Sequence, residues 1–252
     1  MAHLDSRRRF LSLGLIGGSA CILSPLLSLH AAMAQSSEPL RIGIIGSGRI
    51  GGSIGLRWAE AGHHVLFSSR NPDELEELVA QAGSNARAGY PADAARFGDV
   101  ILVAVPYGAM PQVGRDFAPL MQDKIVIDCG NPRADRDGPM ANEAIARGTG
   151  VTSAELFPGV RLVRAFNAIS FLMVQNEANR EGELIGVPIA GDDPAAVAVT
   201  RQLVRDAGFE PVVVGGLERA RDFDRGTDVY VRGMTATELR RALNLSPAAS
   251  QD

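Results

Sequence analysis

The feature that limits the fold most is the run RIGIIGSGRIGGSIGLRWAEAG, Arg41 to Gly62. An unbroken apolar stretch, Leu40–Ile45, leads into three glycines spaced G-x-G-x-x-G (Gly46, Gly48, Gly51), and a helix is expected over about Ile50 to Ala61, with Gly62 as its stop. A strand with no polar alternation is buried on both faces, as in parallel sheets covered by helices on each side. The glycines then divide the work. Gly46 makes a tight turn, Gly48 leaves the backbone bare for a pyrophosphate, and Gly51 lets helix pack on strand. The helix N-terminus adds unpaired N–H groups and partial positive charge. Between a buried strand and a helix, this pattern favours a dinucleotide loop over a merely structural glycine turn.

The next stretch, HHVLFSSRNPDEL, tests that reading. In such a unit the second strand normally ends in an acid that holds the adenosine ribose of NAD. Here the place is taken by Ser68, Ser69 and Arg70. A carboxylate 4 Å from a ribose phosphate would repel it by about 4 kcal/mol at an effective dielectric of about 20. Hydroxyls and a guanidinium instead offer charge-assisted hydrogen bonds of about 1.5–3 kcal/mol each. Ser69 and Arg70 are therefore the expected readers of the 2′-phosphate of NADP, with Asn71 adding an N–H. The competing reading makes Arg70 a solvated residue before the next helix.

The rest of the chain alternates strand and helix. NPDELEELVAQAG reads as a helix with Asn71 as N-cap, Pro72 at its first position, Glu74 completing a capping box and Gly83 ending it. Val100–Val105, closed by Pro106, and Ile125–Asp128 read as buried strands, with a short helix between Pro111 and Pro119. GNPRADRDGPM is a long polar loop and a candidate site loop. Strands are expected at Val160–Phe166, Leu184–Ala190 and Pro211–Val214. A helix from Asp193 or Pro194 to Ala207 and a short one capped by Thr235 and Glu238 complete the pattern. The predicted fold is α/β: a Rossmann-type, doubly wound, mostly parallel sheet with a C-terminal βαβ extension.

Residues 1–34 stand apart. SRRRFL lies near their start, at Ser6–Leu11, an apolar run follows, and Ala32-Met33-Ala34 supplies small residues for cleavage. That order predicts an export signal of twin-arginine type, cut after Ala34 and engaging the twin-arginine machinery, with residues 35–39 as linker. Gly14, Gly17, Gly18 and Pro25 dilute the apolar run, which favours cleavage over a stable membrane anchor. Removing three arginines and one aspartate from 25 basic and 29 acidic residues leaves a net charge of −6. That balance argues against nucleic acid or an anionic membrane as partner. Only Cys129 remains after cleavage, so no internal disulfide is available to an exported, periplasmic protein.

With these residues in hand, the chain resembles the NADP oxidoreductases that depend on a deazaflavin coenzyme of F-420 type. The resemblance rests on IGIIGSGRIG, SSRNP, ILVAVPYGAM, VIDCGNP, RAFNAIS and the stretch from Ile189 to Arg221, and spans about Leu40 to Arg221. The nucleotide-binding part is also similar to pyrroline-5-carboxylate reductases and to the cytosolic domains of metal-reducing membrane oxidoreductases. The resemblance implies one NADP-binding domain over residues 40–220, followed by an atypical tail, 221–252. It implies that Ser47, Arg49 and Ile50 lie in the phosphate loop and that Ser69 and Arg70 meet the 2′-phosphate. Ala104, Val105 and Pro106 would lie beside the ribose and nicotinamide, and Asn131 and Ala165–Asn167 would face the nicotinamide end. Oligomers are common in the family, so association of like chains is a further expectation.

No catalytic side chain is assigned and no metal site is expected. Hydride transfer between stacked rings needs positioning above all. Tyr107 and Asn167 are the polar binding candidates near a nicotinamide. Cys129 reads as a small buried thiol, Asp128 as a loop hydrogen-bond partner, His63 and His64 as surface or packing residues, and Asp192 and Asp193 as a helix start. Two functions fit: an exported NADP-dependent oxidoreductase with a deazaflavin, flavin or other small hydride acceptor, or a non-catalytic NADP-binding sensor or assembly factor exported with its nucleotide.

Overall fold

The structure, a computed structural model, describes residues 38–246; the export-signal expectation lies outside them. Within these residues the strands are β1 (Arg41–Ile45), β2 (His64–Ser68), β3 (Ala86–Gly89), β4 (Val100–Val103), β5 (Ile125–Asp128), β6 (Arg161–Arg164), β7 (Gly186–Gly191) and β8 (Glu210–Gly215). The helices between them are α1 (Arg49–Glu60), α2 (Glu76–Ala82), α3 (Pro91–Phe97) and α4 (Met110–Phe117). Next come α5 (Ala134–Asp137), α6 (Pro139–Arg147), α7 (Thr149–Leu156) and α8 (Phe171–Asn176), then α9 (Pro194–Asp206) and α10 (Ala236–Ala242).

One eight-stranded sheet results, in the order β3-β2-β1-β4-β5-β6-β7-β8. The first six strands are parallel; β7 pairs antiparallel with β6, and β8 runs parallel to β7. The doubly wound α/β fold is thus as predicted, and β7–α9–β8 is the C-terminal βαβ unit, set in reverse against the rest. The order turns back between β1 and β4, where a crevice opens above the carboxyl ends of the strands. Register aims that crevice: Ile45 pairs with Ser68 on one side and Val103 on the other.

The apolar runs explain the layering. Within each run alternate residues face opposite sides, so Ile42, Ile44, Leu102 and Ile127 enter one core while Ile45, Ile101, Val103 and Val126 enter the other. Full burial of each such side chain contributes about 1.5–3 kcal/mol. In the first core Trp58 of α1 donates from Nε1 to the Leu203 carbonyl at 2.7 Å and meets the Phe166 ring edge-on, 5.8 Å between centroids. That contact ties α1 to α9 and to the loop after β6.

Several local expectations need correction. Asn71 caps no helix: Pro72–Leu75 is a 3-10 turn, the Asn71 side chain bonds Glu74 Oε1 at 3.1 Å, and α2 starts only at Glu76. The loop expected over 130–140 contains α5 and the start of α6. Further short elements, β3, α3, α7 and α8, carry no hydrophobic period long enough to be foreseen. The capping box of α10 does form, with the Thr235 hydroxyl and the Glu238 carboxylate each accepting the other's backbone N–H. Phe223, Val229, Leu239 and Leu243 of the tail pack with Val212 and Val214 of β8. Among the described residues no helix is long and apolar enough to cross a membrane.

Candidate functional site

A cleft of about 780 Å³ lies over the carboxyl ends of β1, β2 and β4. It brings together Gly46, Ser47, Gly48, Ser69, Arg70, Val105 and Pro106, seven residues singled out from sequence. Gly51, Arg49, Ile50, Asn71 and Asn131 do not line it.

Each glycine has a separate physical reason. Gly46 has φ +98°, and a Cβ there would lie 2.7 Å from the Ala104 carbonyl oxygen. A Cβ on Gly51 would lie 2.2 Å from the Gly46 carbonyl oxygen, so helix and loop could not close together. Around Gly48 a Cβ would meet nothing within 4 Å. The fold makes no demand for glycine at that position, and the space it leaves opens onto the cleft. Gly48 is also the N-cap of the 12-residue α1, with no side-chain cap and no acid in the first turn. The leading N–H groups are thus left for an anion, as a pyrophosphate requires.

Ser47 fixes the loop against β2, its N–H donating to the Ser68 carbonyl at 3.0 Å and its Oγ accepting from the Ser68 N–H at 2.8 Å. The Ser68 hydroxyl is fully buried and donates to the Ile44 carbonyl, so it belongs to the sheet and not to a ligand. Ser69 Oγ accepts from the Asn71 N–H at 3.1 Å and keeps its own proton to donate. With its N–H held by Ser69 and its amide by Glu74, Asn71 shapes the turn. Arg70 makes no ion pair among the described residues. A free guanidinium beside a free hydroxyl proton suits a phosphate, and this cradle fits NADP. One acid, Glu74, also lines the cleft; Leu75, Pro91, Val113 and Phe117 supply apolar surface.

Arg49 stands over the ring of Phe171, 5.3 Å from its centroid, a cation–π contact beside the phosphate loop. The ring comes from α8, held to α1 by Arg57, which donates to the Val174 and Gln175 carbonyls at 3.2 and 2.7 Å. Only the fold brings residues so far apart in the chain together, so Phe171 had no signal in sequence.

A second cluster lies where β5 and β6 end. Arg164 is fully buried. It donates to Asp128 Oδ2 at 2.8 Å, to the Gly130 carbonyl at 2.6 Å and to Asp224 Oδ1 at 2.9 Å. Burial alone would lower its pKa, but the Asp128 and Asp224 carboxylates outweigh that and hold it above the ordinary arginine value. Asn131 donates from Nδ2 to the Asn167 carbonyl at 2.9 Å, and Asn167 donates from Nδ2 to the Phe223 carbonyl at 3.2 Å. Both buried side-chain oxygens, Oδ1 of Asn131 and of Asn167, have no partner within the protein.

Tyr107 is corrected as a binding candidate: it is fully buried, and its hydroxyl pairs with Thr152 Oγ1 at 2.9 Å. Burial pushes its pKa up. Cys129 is a buried thiol pushed up to about 12 by burial and by Asp128. Asp128 does hold its loop, accepting from the Gly130 N–H at 2.7 Å, but it also carries the ion pair with Arg164. His63 is a packing residue, accepting from the Leu40 N–H at Nδ1 and meeting Asp206 at Nε2. Asp193 caps α9 through the Ala196 N–H, and Asp192 accepts from the Leu217 N–H.

Comparison with known proteins matches this geometry. Residues 41–132, from β1 through the Asn131 loop, match the family described as NADP oxidoreductase, coenzyme F420-dependent. Over these residues the chain carries that family's pattern. It is 30% identical over 212 residues to metalloreductase STEAP3 of Rattus norvegicus, a match covering 79% of this chain and 40% of that protein. It is 26% identical over 220 residues to the F420-dependent NADP reductase of Methanothermobacter thermautotrophicus, covering 81% of this chain and 93% of that one. Among solved structures, a hypothetical protein, SMa0349, from Sinorhizobium meliloti superposes with a TM-score of 0.68 at 24% identity, over 80% of this chain and 97% of that one. That likeness shows the fold. The chain spans about two fifths of the length of the metalloreductases it matches. Within the F420-dependent NADP oxidoreductase family pattern lie the phosphate loop, the Ser69–Arg70 turn and Asn131; Arg164, Asn167 and Phe171 fall beyond it.

Proposed function

We propose that the protein is an NADP(H)-dependent oxidoreductase that moves a hydride between the nicotinamide and a deazaflavin, flavin or other small acceptor. The observation that carries the reading is the unpaired Arg70 beside Ser69, in the same cleft as the bare Gly48. The relatives named as an NADP reductase and as metalloreductases support the oxidoreductase class.

In this reading the α1 N-terminus and the Gly46–Gly48 loop hold the pyrophosphate, with Arg49 beside it. Ser69 and Arg70 hold the 2′-phosphate, and Ala104–Pro106 lie along the ribose. Asn131 and Asn167 offer two acceptor oxygens to donors at the nicotinamide end. Bound there, the nicotinamide supplies or takes up the hydride. The protein's part is to orient the ring and exclude water; Cys129 and Tyr107 are too deeply tied to exchange protons. The twin-arginine-like start of the chain supports export of the folded, nucleotide-loaded protein to the periplasm, where association of like chains is a further part of the proposal.

Titration of the purified protein with NADPH and NADH, followed by NADPH oxidation with riboflavin, FMN, FAD and a deazaflavin, tests this. Tighter binding of NADPH and turnover with a ring acceptor are expected. Equal affinity for the two dinucleotides removes the 2′-phosphate assignment. Bound NADP released on denaturation, with no turnover on any acceptor, leaves the sensor or assembly-factor reading instead.

A further inference from the structure

We infer that Arg164 is a positioning residue that locks the C-terminal tail over the loops at the nicotinamide end, and that this lock sets how the site grips the nicotinamide half of the cofactor. The inference rests on the nucleotide-binding reading above and goes beyond it, because Arg164 and Asp224 both lie outside the family pattern and touch neither the cleft nor the glycines of the phosphate loop.

The geometry points to a lock. Burying a guanidinium is costly, and a well-packed apolar residue commonly stabilises a fold as well or better. Arg164 is nevertheless fully buried, and its Nε has no partner, so the side chain is not arranged for greatest stability. What the fork does reach is oxygens from three segments: the carboxylate and carbonyl of Asp128 at the end of β5, Gly130 in the loop before Asn131, and Asp224 in the tail. Each partner has a second duty. Asp128 Oδ1 accepts from the Gly130 N–H at 2.7 Å, which sets the turn into Asn131. Asp224 Oδ2 accepts from the Thr149 N–H at 3.1 Å, which moors the tail to α7.

The tail also reaches the loop after β6. The Phe223 carbonyl accepts from Asn167 Nδ2, and the Val231 N–H donates to the Ala168 carbonyl at 2.8 Å. Between Arg164 and these contacts the chain passes Phe166 with φ +62°, a left-handed conformation costly for a bulky residue and kept only where its surroundings impose it. Asn131 and Asn167, with their unpartnered oxygens, are therefore held by the Gly130 turn that Arg164 ties and by the tail that Arg164 anchors. Releasing Asp224 would let the tail lift and the two amides turn.

Two variants test the lock, Arg164→Lys, which keeps the charge but loses the fork, and Asp224→Asn, which keeps the shape but weakens one arm. Their affinities for NADPH and for 2′-phospho-ADP-ribose, which lacks the nicotinamide, are measured by calorimetry on the full-length protein. The wild type is expected to bind NADPH about tenfold more tightly than the truncated nucleotide, the effect of one good hydrogen bond. In both variants the ratio is expected to fall to within about threefold of one, while affinity for 2′-phospho-ADP-ribose stays unchanged. A merely structural arginine would lower both affinities together, or neither. Variants that keep the wild-type ratio overturn the inference, and so does a wild type that grips both nucleotides equally. A wild type that binds neither sinks the nucleotide reading itself.

Discussion

The two ends of the proposed cofactor site are built on opposite plans. At the phosphate end the groups that count are unengaged: Gly48 faces empty space, Arg70 has no carboxylate, and the first N–H groups of α1 have no cap. At the nicotinamide end almost everything is engaged and buried, with Arg164 shared among three segments and the tail tied to the loops. An exposed cation left without a partner costs the fold little and is available to a ligand. A buried cation must be partnered, and so it can hold segments together but cannot bind anything new. The difference sorts residues into those that bind and those that hold.

The largest effect that could break this comparison comes from exchanging its two arginines. Arg164→Met leaves Asp128 and Asp224 facing each other without a cation, and stability should fall by about 3–5 kcal/mol. Arg70→Ala should leave the melting temperature unchanged and weaken NADPH about 10- to 100-fold, with NADH unaffected. Urea unfolding and nucleotide titration of both variants check the pair. Equal stability loss in the two would show that Arg70 also holds the fold.

The glycines sharpen the same contrast within a single loop. Gly51→Ala drives a Cβ against the Gly46 carbonyl and should cost about 1–3 kcal/mol or more. Gly48→Ala meets no protein atom, so its unfolding midpoint should match the wild type while nucleotide affinity drops sharply. Thermal unfolding with and without NADPH separates the outcomes; loss of stability in Gly48→Ala would mean the empty space is not reserved for a ligand.

The plan of the phosphate end could be read from sequence, and that of the nicotinamide end could not. Gly46, Gly48, Ser69 and Arg70 are close in sequence or one strand apart, and local spacing carries their geometry. Arg164 looks like an ordinary charged residue until Asp128 and Asp224, 36 and 60 positions away, are brought to it. Phe171 meets Arg49 across a still longer separation. Local rules misled at Asn71, where a capping pattern formed a 3-10 turn, and at Tyr107, whose place after Pro106 suggested the cleft although its ring turns inward to Thr152. Burial direction after a strand end depends on what the other layer offers, and periodicity does not carry that information.

Cys129 extends the idea to pH. The folded thiol keeps its proton up to about 12, whereas an ordinary thiol loses it near 9.0. Between those values the folded state holds one more proton than the unfolded chain. The stability this contributes is therefore complete below about pH 9 and is lost as pH rises towards 12. Cys129→Ala should flatten that part of the stability curve, and iodoacetamide at pH 8 should leave the native thiol unmodified. Rapid alkylation without unfolding would show that this end is more open than its hydrogen bonds imply.

The smallest expected effect concerns the one residue that blurs the contrast. Glu74 lines the phosphate end, held by Asn71 Nδ2, and carries a negative charge where a phosphate is to be read. It is exposed to water, so its repulsion is screened and cannot cancel what Arg70 contributes. Removing the charge in Glu74→Gln keeps the Asn71 contact and should tighten NADPH by about two- to fivefold, with no change for NADH. The gain should shrink as salt is raised, which a change of loop shape would not do. If NADPH and NADH both tighten, Glu74 acts on the loop and not on the phosphate, and the phosphate end is less free of internal ties than Arg70 and Gly48 suggest.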